Sequence, residues 1–250
     1  MKRLAALALL PLLGAACGGG SAVRATTAHV LAAGTTRCEP GYRSDGSATL
    51  AHAAVARGPL TAYRAPGGAV LARFGAVNAN DYPTVFTVRG RVVGRDCAAR
   101  WYRVQLPLRP NGVEGWVRAG AVALQPVRTR IEVDLSRRRV TVFHAGRRVL
   151  STPAAIGSPA TPTPIGRFYV NQRLVPTDPA GAFGPDAIGV SAFSPVLTGW
   201  AQGGPIAIHG TNEPWSIGKA VSNGCVRVPN GVVARIFRLA LAGTPVTIHP

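Results

Sequence analysis

The chain has 250 residues, 47% of them apolar, and its 28 basic against 10 acidic side chains give a formal charge of +18. That apolar content excludes an intrinsically disordered chain, and the length allows one large domain or two small ones. The charge is almost wholly arginine, Lys2 and Lys219 being the only lysines; it either attracts polyanions or reflects GC-rich codon usage, which also enriches Ala, Gly and Pro. The arginines are scattered and no nucleic-acid motif accompanies them, so nucleic acid is not expected as a partner.

The chain opens MKRLAALALLPLLGAACGGGS: a basic start, an apolar run from Leu4 to Leu13, then small residues. This is the pattern of a secretory signal. The run is broken by Pro11 and falls short of the ~20 residues of a membrane span. Cys17 follows Gly14-Ala15-Ala16, which resembles a bacterial lipoprotein signal whose cysteine is lipidated, although Gly14 stands where such signals usually have leucine. Residues 1–17 are therefore expected to be a lipoprotein-type signal. The protein is expected to be exported to the cell envelope, periplasm or wall, and held to the membrane through lipid at Cys17; ordinary cleavage nearby is the alternative. An oxidising compartment permits disulfides. With Cys17 consumed, Cys38 and Cys97 form the economical pair, and Cys225 is left as either a reactive thiol or a buried structural one.

Residues 18–53 are rich in Gly, Ala, Thr and Ser with little periodicity and read as a flexible tether containing His29 and His52. From 54 to 125, short apolar runs such as TVFTVRGRVVG and RWYRVQLP alternate with turn residues, the pattern of a small β-barrel or sandwich. Trp101 and Trp116 are expected in its core. The segment WYRVQLPLRPNGVEGWVRAGAV resembles the end of bacterial Src-homology-type barrels, and a wall-binding domain is expected here. ALQPVRT, around Pro126, reads as a hinge.

A second domain is expected over 128–250. RIEVDL and RVTVFHAG alternate as strands about a turn at Ser136–Arg138, and RRVLSTPAAIG continues the pattern. SPATPTPIGRFYV stacks prolines ahead of another strand, and LVPTDPAGAFGPD is a long loop. GPIAIHG is an apolar strand ending at His209. Asn230 is a candidate helix cap, with Val232, Val233, Ile236, Leu239 and Ala240 on one face, Ala242 near the end and Gly243 as the stop. TPVTIHP is a last strand. The fold class is thus mainly β: a small N-terminal β-barrel followed by a β-rich domain with one principal helix.

The chemistry concentrates in HGTNEPWSIGKAVSNGCVRV, from His209 to Val228. A cysteine nucleophile must reach the thiolate near neutral pH, and a histidine within hydrogen-bond reach can take its proton. No Asp or Asn is set aside to orient that histidine, but a backbone carbonyl such as that of Gly210 can do so. Gly224, just before Cys225, lets backbone approach a substrate closely. Amides around Asn223, Gly224 and Cys225 could form an oxyanion hole.

Together these residues resemble the L,D-transpeptidases of the bacterial cell wall, with the YkuD-type catalytic fold. The likeness rests on His209, a spacer carrying Trp215, then Ser222, Asn223, Gly224, Cys225 and Arg227. TPTPIGRF (161–168) resembles the family's T-P-x-G-x-F segment, and RIEVDLSRRRVTVF resembles its first hairpin. Many members have histidine where this chain has Asn223. The resemblance implies a thiolate–imidazolium enzyme acting on peptidoglycan stem peptides. Cys225 would attack the carbonyl between the third stem residue and a terminal D-alanine, and His209 would protonate the departing D-alanine and deprotonate an acceptor amine. A second stem peptide as acceptor gives a 3→3 cross-link, an envelope protein gives protein attachment, and water gives an L,D-carboxypeptidase. Arg227 would bind a substrate carboxylate or brace the loop, Ser222 would hold the loop, and Trp215 would act as a lid or packing residue.

The rivals are weaker. His144 and His249 sit in strand patterns without metal-ligand spacing, so no metal or other cofactor is expected. No carboxylate pair suggests a glycosidase. In papain-like wall endopeptidases the cysteine precedes the histidine, whereas here His209 comes first. A catalytically dead wall-binding lipoprotein remains the rival of another class, favoured by Asn223. Arginine-rich charge in an envelope protein would also suit an anionic cell-wall polymer as partner.

Overall fold

The structure is a computed structural model that describes residues 38–250. The expected signal peptide, Cys17, His29 and the tether up to residue 37 lie outside the described residues.

Period-two alternation in the first half yields eight strands: β1 (Gly41–Ser44), β2 (Ala51–Ala56), β3 (Leu60–Tyr63), β4 (Val70–Phe74), β5 (Val85–Val93), β6 (Ala99–Gln105), β7 (Glu114–Arg118) and β8 (Val122–Val127). They pair antiparallel in the order β4-β3-β7-β6-β5-β2-β8, with β1 against β5. Bulges between Val88 and Gly90 and between Val92 and Val93 bend β5, which lets the sheet wrap over Phe86, Val88, Tyr102, Val104, Leu106 and Val117. Among the described residues no pairing joins β4 to β8, so this is an open, wrapped sheet rather than a barrel closed by hydrogen bonds.

Three expectations need correction here. Residues 41–53 do not belong to a tether: they supply β1 and the start of β2, and His52 Nδ1 lies 2.8 Å from the Asp45 carboxylate. Trp101 and Trp116 are only half-buried. Because Tyr102, Val104 and Val117 take the inward positions, the pleat turns both indoles outward. There Tyr63 meets Trp101 edge-on at 5.4 Å and Tyr42 meets Trp116 at 6.0 Å. Finally, Pro126 is no hinge: it lies within β8, opposite His52. A proline is tolerated there because β8 is an edge strand of this sheet.

Cys38 and Cys97 are joined by a disulfide that closes 59 residues of sequence. On loop entropy such a closure contributes about 4 kcal/mol. Reduction is therefore expected to lower the urea midpoint clearly, as read by comparing unfolding with and without reductant.

The second half adds β9 (Thr129–Asp134), β10 (Arg139–His144), β11 (Arg147–Pro153), β12 (Ile156–Gly157), β13 (Gly166–Leu174), β14 (Ala187–Phe193), β15 (Pro205–His209), β16 (Ala220–Ser222), β17 (Val226–Arg227), helix α1 (Asn230–Leu239) and β18 (Pro245–His249). One eight-stranded mixed sheet runs β11-β10-β9-β18-β13-β14-β15-β17, and β12 pairs with β16 beside it. Asp134 receives Ser136 Oγ–H and the Arg137 N–H, both at 2.8 Å, and so closes the β9–β10 turn. The fold is mainly β with one α-helix among the described residues, and α1 buries Val233 and Ile236 against the sheet.

β14 was not legible as a strand because six of its seven residues are buried, leaving no polar alternation to read. Asn230 does not cap α1; Pro229 occupies the cap position and the helix ends at Leu239. The two halves pack directly. Gly243, with φ +89°, sits where a Cβ would run into Ala53, and Gln105 Nε2 donates to the Arg167 carbonyl at 2.7 Å.

Candidate active site

The turn between β16 and β17 carries Ser222, Asn223, Gly224 and Cys225. Gly224 holds φ +106°, a left-handed conformation that glycine adopts without strain, and Ile206 Cδ1 leaves little room for a side chain. Ser222 Oγ donates to the Cys225 carbonyl at 2.5 Å and accepts the Gly224 N–H at 3.2 Å. Ser222 thus ties the turn to itself. It also engages the Gly224 amide, which sequence reasoning had offered to an oxyanion hole.

The segment carrying Thr161 and Thr163 brackets this turn from below. Thr163 Oγ1 donates to the Gly224 carbonyl and accepts the Gly157 N–H, both at 2.8 Å. Thr161 Oγ1 donates to the Ser222 carbonyl at 2.9 Å. Pro162 and Pro164 bring no N–H that would need a ladder partner, so the segment can run free of the sheet. These positioning roles were invisible in sequence except as part of a motif. Thr163→Val keeps the shape but leaves a buried acceptor and donor unpaired, a cost of about 1–3 kcal/mol. We expect a lowered thermal midpoint and roughly tenfold slower acylation of Cys225, measured by unfolding and by intact mass against time.

His209 ends β15 and is buried, 4% exposed. Its Nδ1 lies 2.6 Å from the Gly210 carbonyl. Nδ1–H donates to that oxygen, which leaves the Nε2 lone pair as the basic site. The Phe183 ring stands 4.9 Å from the imidazole. Gly210 is confined between Asn230 and Gly184, and a Cβ there would collide with Asn230 Oδ1. That same oxygen accepts the Thr211 N–H at 2.7 Å. Asn230 therefore locks the His-Gly-Thr turn, a role hidden behind its helix-start position.

β15 and β17 pair parallel with Ile208 opposite Val226 and His209 opposite Arg227. Continued by one step, this register sets Cys225 beside Ala207, two residues before His209. Thiol and imidazole are thus diagonal neighbours on one side of adjoining strands. Cys225 is the free cysteine of the described residues, half-buried, with Sγ 4.0 Å from the Pro205 carbonyl. It opens on a cavity of about 550 Å³ walled mainly by apolar side chains, among them Leu174, Val175, Phe183, Trp200 and Ile206.

Burial, only partly opposed by the Gly210 hydrogen bond, pushes His209 down to about 4; the Arg227 charge adds to the lowering. Burial likewise pushes the Cys225 thiol up, against the Ala207 amide and Arg227. Both shifts disfavour the charged forms, and so work against the thiolate–imidazolium pair that the resemblance implies.

The remaining sequence candidates scatter. Arg227 pairs with Glu213, a partner sequence reasoning did not name. Trp215 is 59% exposed, with Lys219 Nζ 5.0 Å above its ring, and does not line the cavity. Asn223 is exposed.

A thiol and a tautomer-fixed histidine on adjoining strands suit acyl transfer. Residues 128–248 match the family model of the L,D-transpeptidase catalytic domain, YkuD. The likeness to that family lies in this second half of the chain. The chain is 36% identical to the YkuD protein of Bacillus licheniformis over 121 residues, 48% of this chain and 66% of that protein. It is 27% identical to L,D-transpeptidase 1 of Mycobacterium tuberculosis over 208 residues, 70% of this chain and 81% of that one. It thus spans slightly under two thirds of the length of the Bacillus licheniformis relative. Among solved structures, an L,D-transpeptidase from Mycobacterium smegmatis aligns over 68% of this chain and 92% of its own at 18% identity, with a TM-score of 0.42. That likeness is too loose to bear on the site.

Proposed function

We propose that the protein is an exported cysteine acyltransferase that forms 3→3 peptidoglycan cross-links by L,D-transpeptidation. The observation that carries this reading is the β15–β17 register, which continued by one residue sets Cys225 diagonal to His209, with Nδ1 engaged by Gly210 and the thiol open to an apolar cavity. Cys225 Sγ attacks the carbonyl between the third stem residue and D-alanine while its proton passes to His209 Nε2. The imidazolium then protonates the departing D-alanine amine, which leaves a thioester on Cys225. The third-residue amine of a second stem peptide attacks that thioester, His209 Nε2 takes its proton, and the thiol returns as the new amide forms. Since Ser222 engages the Gly224 amide, the Asn223 and Cys225 amides are the ones left in this turn to hold the oxyanion. Arg227, paired with Glu213, braces the loop.

Export to the envelope, with lipid on Cys17, completes the proposal. The Cys38–Cys97 disulfide supports an oxidising compartment. The test is incubation of the purified protein with a disaccharide-tetrapeptide, followed by intact mass. A Cys225 adduct with D-alanine released and then cross-linked dimer is the expected result. Tripeptide without dimer would move the reading to a carboxypeptidase, and neither adduct nor release would sink it.

A further inference from the structure

The loop joining β14 to β15, residues 194–204, forms one wall of the cavity at Cys225 through Trp200, Ala201 and Gln202. Trp200 is 54% exposed, so packing does little to hold it. Gln202 adopts φ +56°, a conformation that a residue with a side chain takes at a cost. The loop is knit internally by hydrogen bonds between Ser194 and each of Gly204, Val196 and Leu197, and side chains of the first half of the chain tie it down from outside. Arg109 donates to the Ser194 carbonyl at 2.9 Å and to the Gly203 carbonyl, with its guanidinium 5.2 Å from the Phe193 ring centre. Asn111 exchanges two hydrogen bonds of 2.9 Å with the Phe193 backbone at the loop's root.

Nearest the cavity the clamp is Asn80. It accepts Gln202 Nε2–H at 3.0 Å and returns Nδ2–H to Gln202 Oε1 at 3.3 Å. The same Nδ2 donates to Gln172 Oε1 at 2.9 Å, and Asn78 Nδ2 joins it there at 2.8 Å. Asn80, Gln172 and Gln202 all line the cavity. The Asn80 loop is itself preset, since Asn78 Oδ1 accepts the N–H groups of Asn80 and Tyr82 at 2.9 and 3.2 Å.

We propose that the N-terminal half is a working part of the catalytic site: Asn80, by gripping Gln202, is a positioning residue that holds the 194–204 wall and so sets how bulky a group can reach Cys225. This rests on Cys225 being the reacting group of the site. It gives the first half a role at the catalytic cavity in addition to any wall binding.

The test uses two iodoacetamides that share a reacting group and differ in bulk, iodoacetamide itself and a fluorescein-linked one. Their rates at Cys225 are read by peptide mass at pH 9 for the unaltered protein, Asn80→Ala, Gln202→Ala and the double variant. Losing a neutral side-chain grip is expected to raise the bulky-to-small rate ratio about fivefold in either single variant. The double variant should go no further than Asn80→Ala alone, because Gln202→Ala removes an interaction that Asn80→Ala has already lost. A general loosening would accelerate both reagents together and leave the ratio unchanged, which would overturn the proposal. So would single effects that multiply in the double variant. The assay needs no cell-wall substrate, so its failure leaves the transpeptidase reading to the tetrapeptide assay, and a silent tetrapeptide assay leaves the ratio readable.

Discussion

Cys225→Ser is expected to abolish the covalent adduct with a disaccharide-tetrapeptide and to cut D-alanine release by about 10³-fold or more. A serine hydroxyl is far less acidic than a thiol, and the only base offered to it is a histidine whose basicity burial has already lowered. The thiol's polar contacts are weak sulfur ones, the 4.0 Å approach to the Pro205 carbonyl and the Ala207 amide, so the variant should unfold at nearly the same temperature as the parent. Intact mass, D-alanine release and a thermal scan together check this. An adduct persisting in Cys225→Ser, at any rate near the parent's, would show that the chemistry lies elsewhere.

His209→Gln should lower acylation by about 10²–10⁴-fold, the usual contribution of a positioned general base. It also has a signature in stability. His209 titrates at about 4 in the folded chain and near 6.5 when unfolded. Between those values the unfolded state binds more proton, so the contribution of neutral His209 is fully present above pH 6.5 and is lost as pH falls through about 4. The difference between pH 7 and pH 4 amounts to about 3 kcal/mol. Urea midpoints at the two pH values should therefore separate more in the parent than in His209→Gln. Equal separation in both proteins would mean that the imidazole is not held neutral by burial. The burial that raises the Cys225 thiol predicts that its alkylation climbs with pH into the alkaline range instead of reaching a plateau below pH 8.

What was legible in the sequence was whatever a local pattern carries. Alternation announced most strands, because one face of each was buried and the other wet. A helix starting at 230 followed from its apolar spacing, although it stops at Leu239, short of the end expected near 242. The hydrogen bond from His209 to the Gly210 carbonyl was legible because the two residues are neighbours in sequence, and the Cys38–Cys97 pair because arithmetic left few choices. β14 escaped because both of its faces are covered, and Trp101 and Trp116 were misplaced because aromatic character says nothing about which face of a pleat a residue takes.

The tertiary structure decided what depends on residues distant in sequence. Thr161 and Thr163 meet the turn before Cys225 from some sixty positions away, and Asn80 reaches Gln202 across 122. No window along the chain holds both partners of such a bond. Pro126 read as a hinge because a proline breaks a central strand, but its strand lies at an edge where the missing donor costs nothing. The electrostatics of the site were likewise beyond the sequence: Cys and His as residue types suggest an ion pair, but burial, which only the packed chain creates, penalises both charges.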